Sequence, residues 1–360
     1  MTRPARIHFD LEAARANLRR VRALAPHQRV MAVIKADAYG HGLVRMAHAF
    51  DTADALGVAC LEEAVVLREH GVTQRIVLLE GPFGTDEMGE LQRLELETVV
   101  HHAGQLALIE QSTGARWLHV WVKIDTGMHR LGFDPAELRE IWPRLGSARA
   151  VARPVHLMTH LACAHERGDG SVTDQHACFR RVIEGLDAPC SIANSAGILA
   201  WPGLHADWVR PGIMLYGVSP FNDTVAAQEG LRPVMTLSAE LIAVRQVRSG
   251  ESVGYGASWR CPEDMPIGVV ALGYGDGYPR HAASGTPVLV RDRRTALIGK
   301  ASMDMLTVDL RQVPEARVGD EVTLWGPGLP VEEVARWAGT IPYELLCGAR
   351  GRTRILDSDQ

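Results

Sequence analysis

The feature that most constrains the fold is a rhythm. Apolar, β-branched runs recur at Arg29–Lys35, Ala55–Cys60, Arg75–Glu80, Glu97–His101, Leu118–Asp125, Pro154–Leu161, Pro189–Asn194 and Trp208–Tyr216. Polar segments with helical spacing lie between most of them, among them Leu61–His70, Thr85–Leu94, Pro135–Leu145 and Val172–Leu186. The runs are nearly continuous rather than alternating, as expected of strands buried on both faces of a parallel sheet. Eight such strands, most followed by a helix or helical turn, predict an α/β fold. Its first part is a (β/α)8 TIM-type barrel within residues 1–230.

Beyond Arg232-Pro233 the period changes. Met235, Leu237, Ala239, Leu241 and Ala243 alternate with mostly polar neighbours, the pattern of a half-buried strand. Short strands at Gly268–Leu272, Pro287–Val290, Leu306–Leu310 and Glu321–Trp325 follow, separated by glycine-rich turns, with one late helix at Val331–Ala338. Residues 231–360 therefore read as a C-terminal, mostly β domain.

Composition narrows the function classes. Lys+Arg 38 against Asp+Glu 43 gives a net charge of −5, which argues against nucleic acid or an anionic membrane as the main partner. The most apolar stretch, Met265–Leu272, is far too short to span a bilayer, which takes ~20 residues. The N-terminal segment has no apolar core of a secretion signal, so a cytoplasmic location is expected. Six scattered cysteines without a CxxC read as reduced thiols, and His160, His165 and Asp169 do not match a common metal spacing, so no metal is expected.

In a barrel, chemistry gathers at the C-terminal ends of the strands. The first run closes on Lys35, followed by Tyr39 and two glycines. A lysine ending a buried strand needs a partner or a function, because burial penalises its charge. It reads either as a nucleophile or as a side chain that snorkels to water. The seventh run ends in Asn194-Ser195-Ala196-Gly197 and the eighth in Arg210-Pro211-Gly212-Ile213, where barrels often bind phosphate. Lys123, Asp125 and Arg130 stand at the fifth run and His160 at the sixth. Tyrosine–glycine clusters at 253–256 and 273–278 mark bends or close backbone approach to a ligand. No Walker A, HExxH or GxSxG sequence occurs.

Taken in order, the segments AVIKADAYGHG, KIDTGMHRLG, MTHLACA, ANSAG, VRPGIMLYG, VGYGASW, GYGDGY, SMDM and IPYELLC resemble the alanine racemase family along nearly the whole chain. The resemblance implies a pyridoxal 5'-phosphate enzyme that interconverts L- and D-alanine. By it, Lys35 would hold the cofactor covalently and serve as one catalytic base. Tyr255 would be the base for the opposite face, donated to the partner's site in a homodimer. Arg210 would face the pyridine nitrogen, linked through His160. Tyr39, Ser195, Gly212, Ile213 and Tyr343 would surround the phosphate, with Asn194 nearby. Arg130 and the Met303 backbone would bind the substrate carboxylate, and Tyr274 with Tyr343 would narrow the entrance. Lys123 matches a lysine that is carbamylated in some members. A guanidinium has only donors, so Arg210 could not protonate the ring nitrogen, and the weaker electron sink would restrain transamination and decarboxylation.

Lys300 stands where the family usually has arginine, and GYGDGY replaces the commoner GYADGW. Rival readings are a basic amino-acid decarboxylase, a broader racemase that also takes serine, a non-catalytic pyridoxal-phosphate carrier, and a barrel for another phosphorylated ligand. A decarboxylase would place a carboxylate opposite the ring nitrogen, and a carrier would lack the second domain with Tyr255. The resemblance implies that the enzyme supplies D-alanine for peptidoglycan synthesis or consumes it in D-alanine breakdown.

Overall fold

A computed structural model of the chain describes residues 3–112, 117–349 and 352–357. The first strand, β1 (Arg6–Phe9), precedes a closed barrel of parallel strands. These are β2 (Arg29–Val33), β3 (Ala55–Val58), β4 (Ile76–Leu78), β5 (Glu97–Val100), β6 (His119–Lys123), β7 (His156–Met158), β8 (Cys190–Ser191) and β9 (Trp208–Val209). The ring closes where Arg29 and Val30 of β2 pair with Trp208 and Val209 of β9. Each of the eight apolar runs supplies one strand, and each strand stops short of its run. The residues left over turn across the barrel mouth. Trp208–Tyr216 divides at Pro211-Gly212, where proline has no ladder donor, and resumes as a tight helical turn at Ile213–Tyr216.

The barrel interior is filled. Met31, Ala55, Val77, Val99, Trp121, Met158 and Trp208 form one inner cluster. Trp121 Nε1 donates to the buried Glu97 at 2.8 Å, and Glu97 also pairs with Arg75. His156 stacks on Trp121 with ring centroids 4.2 Å apart, and burial pushes it down to about 4, which leaves it neutral. With the inside packed, room for a ligand lies at the strands' C-terminal ends.

The second layer is an eight-stranded sheet. Its long central strand, β10 (Met235–Val247), runs antiparallel to Glu321–Trp325 and to Met265–Val270. The period-two reading found these strands but overlooked β1, which lies between β10 and Arg354–Asp357 with Ile7 opposite Leu237 and Ile355. The chain thus begins in the sheet before it enters the barrel. The helix Pro342–Gly348 and the hairpin strand Arg293–Ala296 were also not anticipated. No helix among the described residues is long and apolar enough to cross a membrane.

The passage from barrel to sheet is tight at Gly217. Its φ is +71°, and an added Cβ would lie 1.7 Å from the Arg232 carbonyl oxygen. That oxygen is fixed by Asn17 Nδ2 at 2.8 Å. Gly217→Ala is therefore expected to destabilise the protein by about 3 kcal/mol or more, read as a lowered urea midpoint with little change in slope.

Candidate functional site

A cavity of about 920 Å³ opens at the C-terminal mouth of the barrel. It brings together Lys35, Tyr39, Lys123, Arg130, His160, Asn194, Ser195, Arg210, Gly212, Ile213 and Tyr343. Lys123 ends β6 itself, Tyr343 reaches in from the helix Pro342–Gly348 of the second layer, and each of the others comes from a loop or turn that follows a strand.

Lys35 begins a turn of unusual hand. Ala36, Asp37, Ala38 and Tyr39 have φ of 55°, 54°, 53° and 54°, so the turn is left-handed. Tyr39 packs between Tyr216 and Tyr343, with ring centroids at 4.8 and 5.9 Å. Burial first, then neighbouring Tyr343 and Cys347, hold its hydroxyl protonated, well above the ordinary tyrosine range. The hydroxyl lies against Gly212: a Cβ there would meet it at 2.6 Å, so glycine is required for the approach. Ser195 Oγ accepts from Gly212 N–H at 2.9 Å and from Met214 N–H at 3.3 Å. Asn194 caps the short helix Ser195–Ala200 through Gly197 N–H. Burial pushes the Tyr343 phenol up to about 12, so it too remains a donor.

Opposite this cradle is a cluster of cations. Arg210 is 5% exposed and donates to Ser191 Oγ and the Thr159 carbonyl, both at 2.6 Å. Burial lowers it to about 10, so it is still charged at neutral pH, and no carboxylate pairs with it among the described residues. His160 Nδ1 lies 3.4 Å from Arg210 Nη2. Burial and then the charges of Arg210 and Lys123 drive His160 far below its usual range. The neutral ring accepts on Nδ1 and keeps its proton on Nε2. Lys123 is buried and is lowered to about 8, chiefly by desolvation and then by Arg210, Arg130 and Lys35. Arg130 stands on a loop organised by Asp125, whose Oδ1 accepts from the N–H groups of Gly127, Met128 and His129 at 2.9–3.1 Å.

Several lining residues were missed, among them Glu80, His165, Glu332 and Arg336. Glu80 Oε1 lies 3.9 Å from Lys35 Nζ. A charged residue closing the third apolar run was the available signal. His165 lines the outer part of the same cavity, while no group of three or more His, Cys, Asp or Glu among the described residues is arranged to hold a metal.

Tyr255, Tyr274 and Met303 do not line this cavity. They lie in the second layer, 68%, 36% and 54% exposed. Tyr274 N–H donates to the Ser302 carbonyl at 3.0 Å and Gly275 N–H to that of Met303 at 2.9 Å, which joins the two loops. Asp276, fully buried, receives Arg3 at 2.7 Å, and Asp304 receives Arg352 at 2.7 Å, so both ends of the chain brace this surface.

The residues present suit a phosphorylated, electron-accepting aldehyde. Ser195, Tyr39, Tyr343 and the Gly212 amide converge without a carboxylate among them, Lys35 offers an amine, and a buried guanidinium lacks a counter-ion. Comparison with known proteins identifies the family. The model for the alanine racemase N-terminal domain matches residues 9–220, and that for its C-terminal domain matches residues 234–356. An alanine racemase of Halorhodospira halophila is 51% identical over 355 residues, covering 98% of each chain. The crystal structure of biosynthetic alanine racemase from Pseudomonas aeruginosa superposes with a TM-score of 0.96 at 48% identity, covering 99% of this chain and 100% of that one. The alanine racemase of Bartonella henselae, whose structure has covalently bound pyridoxal phosphate, gives 0.88 at 28% identity, covering 98% and 99%. All three are named for alanine, so the serine alternative is not favoured. With both halves of the chain matched in order and the barrel mouth equipped as described, this chain belongs to the alanine racemase family.

Proposed function

We propose that the chain interconverts L- and D-alanine using pyridoxal 5'-phosphate held at the barrel mouth. The observation that carries this reading is the pairing of Lys35 with a phosphate cradle on one side and an unpaired, buried Arg210 on the other. When bound, the cofactor withdraws electrons from the substrate's Cα–H bond and so makes it acidic enough to break near neutral pH.

The residues divide the remaining work. Lys35 Nζ is the attachment point and, when free, the group that moves a proton at one face of Cα. Ser195, Tyr39, Tyr343, Gly212 and Ile213 hold the phosphate, with Asn194 fixing the Ser195 turn. Arg210 would donate toward the ring nitrogen of the bound cofactor without giving up its proton, and His160, neutral, steadies Arg210. Arg130 and the Met303 backbone of a second copy take the substrate carboxylate. Tyr255 and Tyr274 are exposed and do not line the cavity of their own chain, which suits a homodimer in which Tyr255 moves the proton at the opposite face of the neighbour's substrate and Tyr274 narrows the entrance. The experiment that tests the activity is direct: purified protein with added cofactor should convert L-alanine to D-alanine until the two are equal. Absence of D-alanine would overturn the reading.

Lys123 fits a carbamate. Its amine, lowered to about 8, has a neutral fraction at neutral pH and stands among cations. The ammonium first gives up one proton; the neutral amine then attacks carbon dioxide, a C–N bond forms as one C=O π bond opens onto oxygen, a second proton leaves, and a positive charge has become negative beside Arg130. Labelled bicarbonate should give a carbamate signal that Lys123→Met lacks, and the signal should strengthen as pH rises toward 8. The unmodified lysine also carries a linkage effect. Its folded pKa lies below the ordinary lysine value of 10.5, so it costs stability fully below about 8. That cost fades as pH rises through this window.

A further inference from the structure

We propose that Glu63 is a positioning residue for this chemistry: its carboxylate pins the left-handed turn Ala36–Tyr39 and thereby sets where Lys35 and Tyr39 stand. The inference rests on the roles given to those two residues above. L-amino acids visit the left-handed region singly, because Cβ crowds the backbone there, and four consecutive non-glycine residues in it need outside support.

The support on the C-terminal half of the turn is local. Asp37 Oδ1 accepts from Leu43 N–H at 2.7 Å, and His41 Nδ1 lies 3.0–3.1 Å from the carbonyls of Ala38 and Tyr39. The N-terminal half, which directly follows Lys35, is held from elsewhere. Glu63 Oε1 accepts from Ala36 N–H at 2.7 Å and from Asp37 N–H at 3.4 Å. Its other oxygen accepts from Ala59 N–H at 2.8 Å. Glu63 stands in the first turn of the helix Leu61–Glu69, where a carboxylate favours the helix by itself. The bond to Ala59 serves that helix. The bonds to Ala36 and Asp37 cross 27 and 26 residues of sequence to a neighbouring strand end, and the helix has no use for them.

Four full-length proteins test this: wild type, Glu63→Gln, Glu63→Ala, and Glu63→Ala combined with Ala36→Gly. Amide hydrogen exchange is followed in the cofactor-free form, and cofactor affinity, kcat and KM are measured after reloading. In Glu63→Ala, exchange at residues 36 and 37 should quicken and cofactor affinity should fall, each by about tenfold or more, since the lost bonds had a charged acceptor. The fall in kcat should exceed the rise in KM, while exchange in β6 stays as in wild type. Glu63→Gln should lie between, because one oxygen still faces Ala36 while its amide cannot accept from Ala59. Glycine at position 36 adopts the left-handed conformation without steric cost and should recover part of the loss.

Unchanged exchange at 36 and 37 overturns the proposal. So does quickened exchange that leaves cofactor affinity and kcat alone, or a loss spread equally over the barrel that glycine does not recover. Should Glu63→Ala fail to fold, the same readouts on Glu63→Gln decide. Failure of the underlying reading shows separately, as covalent cofactor retained in Lys35→Ala.

Discussion

Lys35→Ala is expected to lower kcat/KM by on the order of 10³- to 10⁴-fold in both directions of racemisation, the range that removal of a positioned proton-transfer group commands. Both directions suffer because the residue has two tasks. In the proposed reaction it fixes the cofactor and it moves the proton on its own face of Cα. The variant should still fold, since Lys35 is partly exposed at the barrel mouth and its nearest ion-pair partner, Glu80, is also in contact with water. Two measurements check the expectation. Denatured wild type treated with a hydride reductant should retain the cofactor's chromophore on the peptide containing Lys35, and the variant should retain none. An added small amine should restore some turnover if proton movement, rather than attachment alone, has been lost. A variant that races alanine at more than about a tenth of the wild-type rate would remove Lys35 from the reaction.

The cations around Lys35 explain why this mouth suits an anionic, electron-accepting ligand. Lys35, Lys123, Arg130 and Arg210 all act on His160, which burial and their charge keep neutral. Charges of one sign are costly to gather unless something negative joins them. A phosphate, a substrate carboxylate and a carbamate at Lys123 would each answer part of that demand, at different places in one cavity.

The parts of this design differ in how legible they were. The eight barrel strands were plain because each is buried on both faces and therefore almost wholly apolar. The strand ends announced Lys35, Lys123, His160, Ser195 and Arg210 for the same reason: polar residues closing apolar runs stand out. β1 escaped because four residues carry little periodicity, and its partners Leu237 and Ile355 lie far from it in sequence. The left-handed turn was hidden more deeply. Alanine has no preference for that conformation, so only the flanking glycines, Gly40 and Gly42 with φ of +81° and +91°, hinted at it. Glu63 was invisible for a related reason. In sequence it is one more acidic residue opening a helix, and its second task appears only when the turn after β2 is brought against it.

Tyr255→Phe is the other variant with a large expected effect, and its value lies in asymmetry and complementation. Loss of the hydroxyl removes proton movement on one face only, so exchange of the Cα hydrogen with solvent should persist for one enantiomer while racemisation falls by about 10²- to 10³-fold. Tyr255 is 68% exposed and outside the cavity of its own chain, and under the proposed function a second copy receives it. In a twofold dimer, mixing Lys35→Ala with Tyr255→Phe creates heterodimers with one site that has both groups and one that has neither. Equal mixing after dissociation and reassociation should then restore about a quarter of the wild-type rate, because half the dimers are mixed and each has one working site. The restored rate should fall on dilution if the dimer separates. If Tyr255 instead served its own chain, every site in the mixture would lack one group, and mixing would restore nothing.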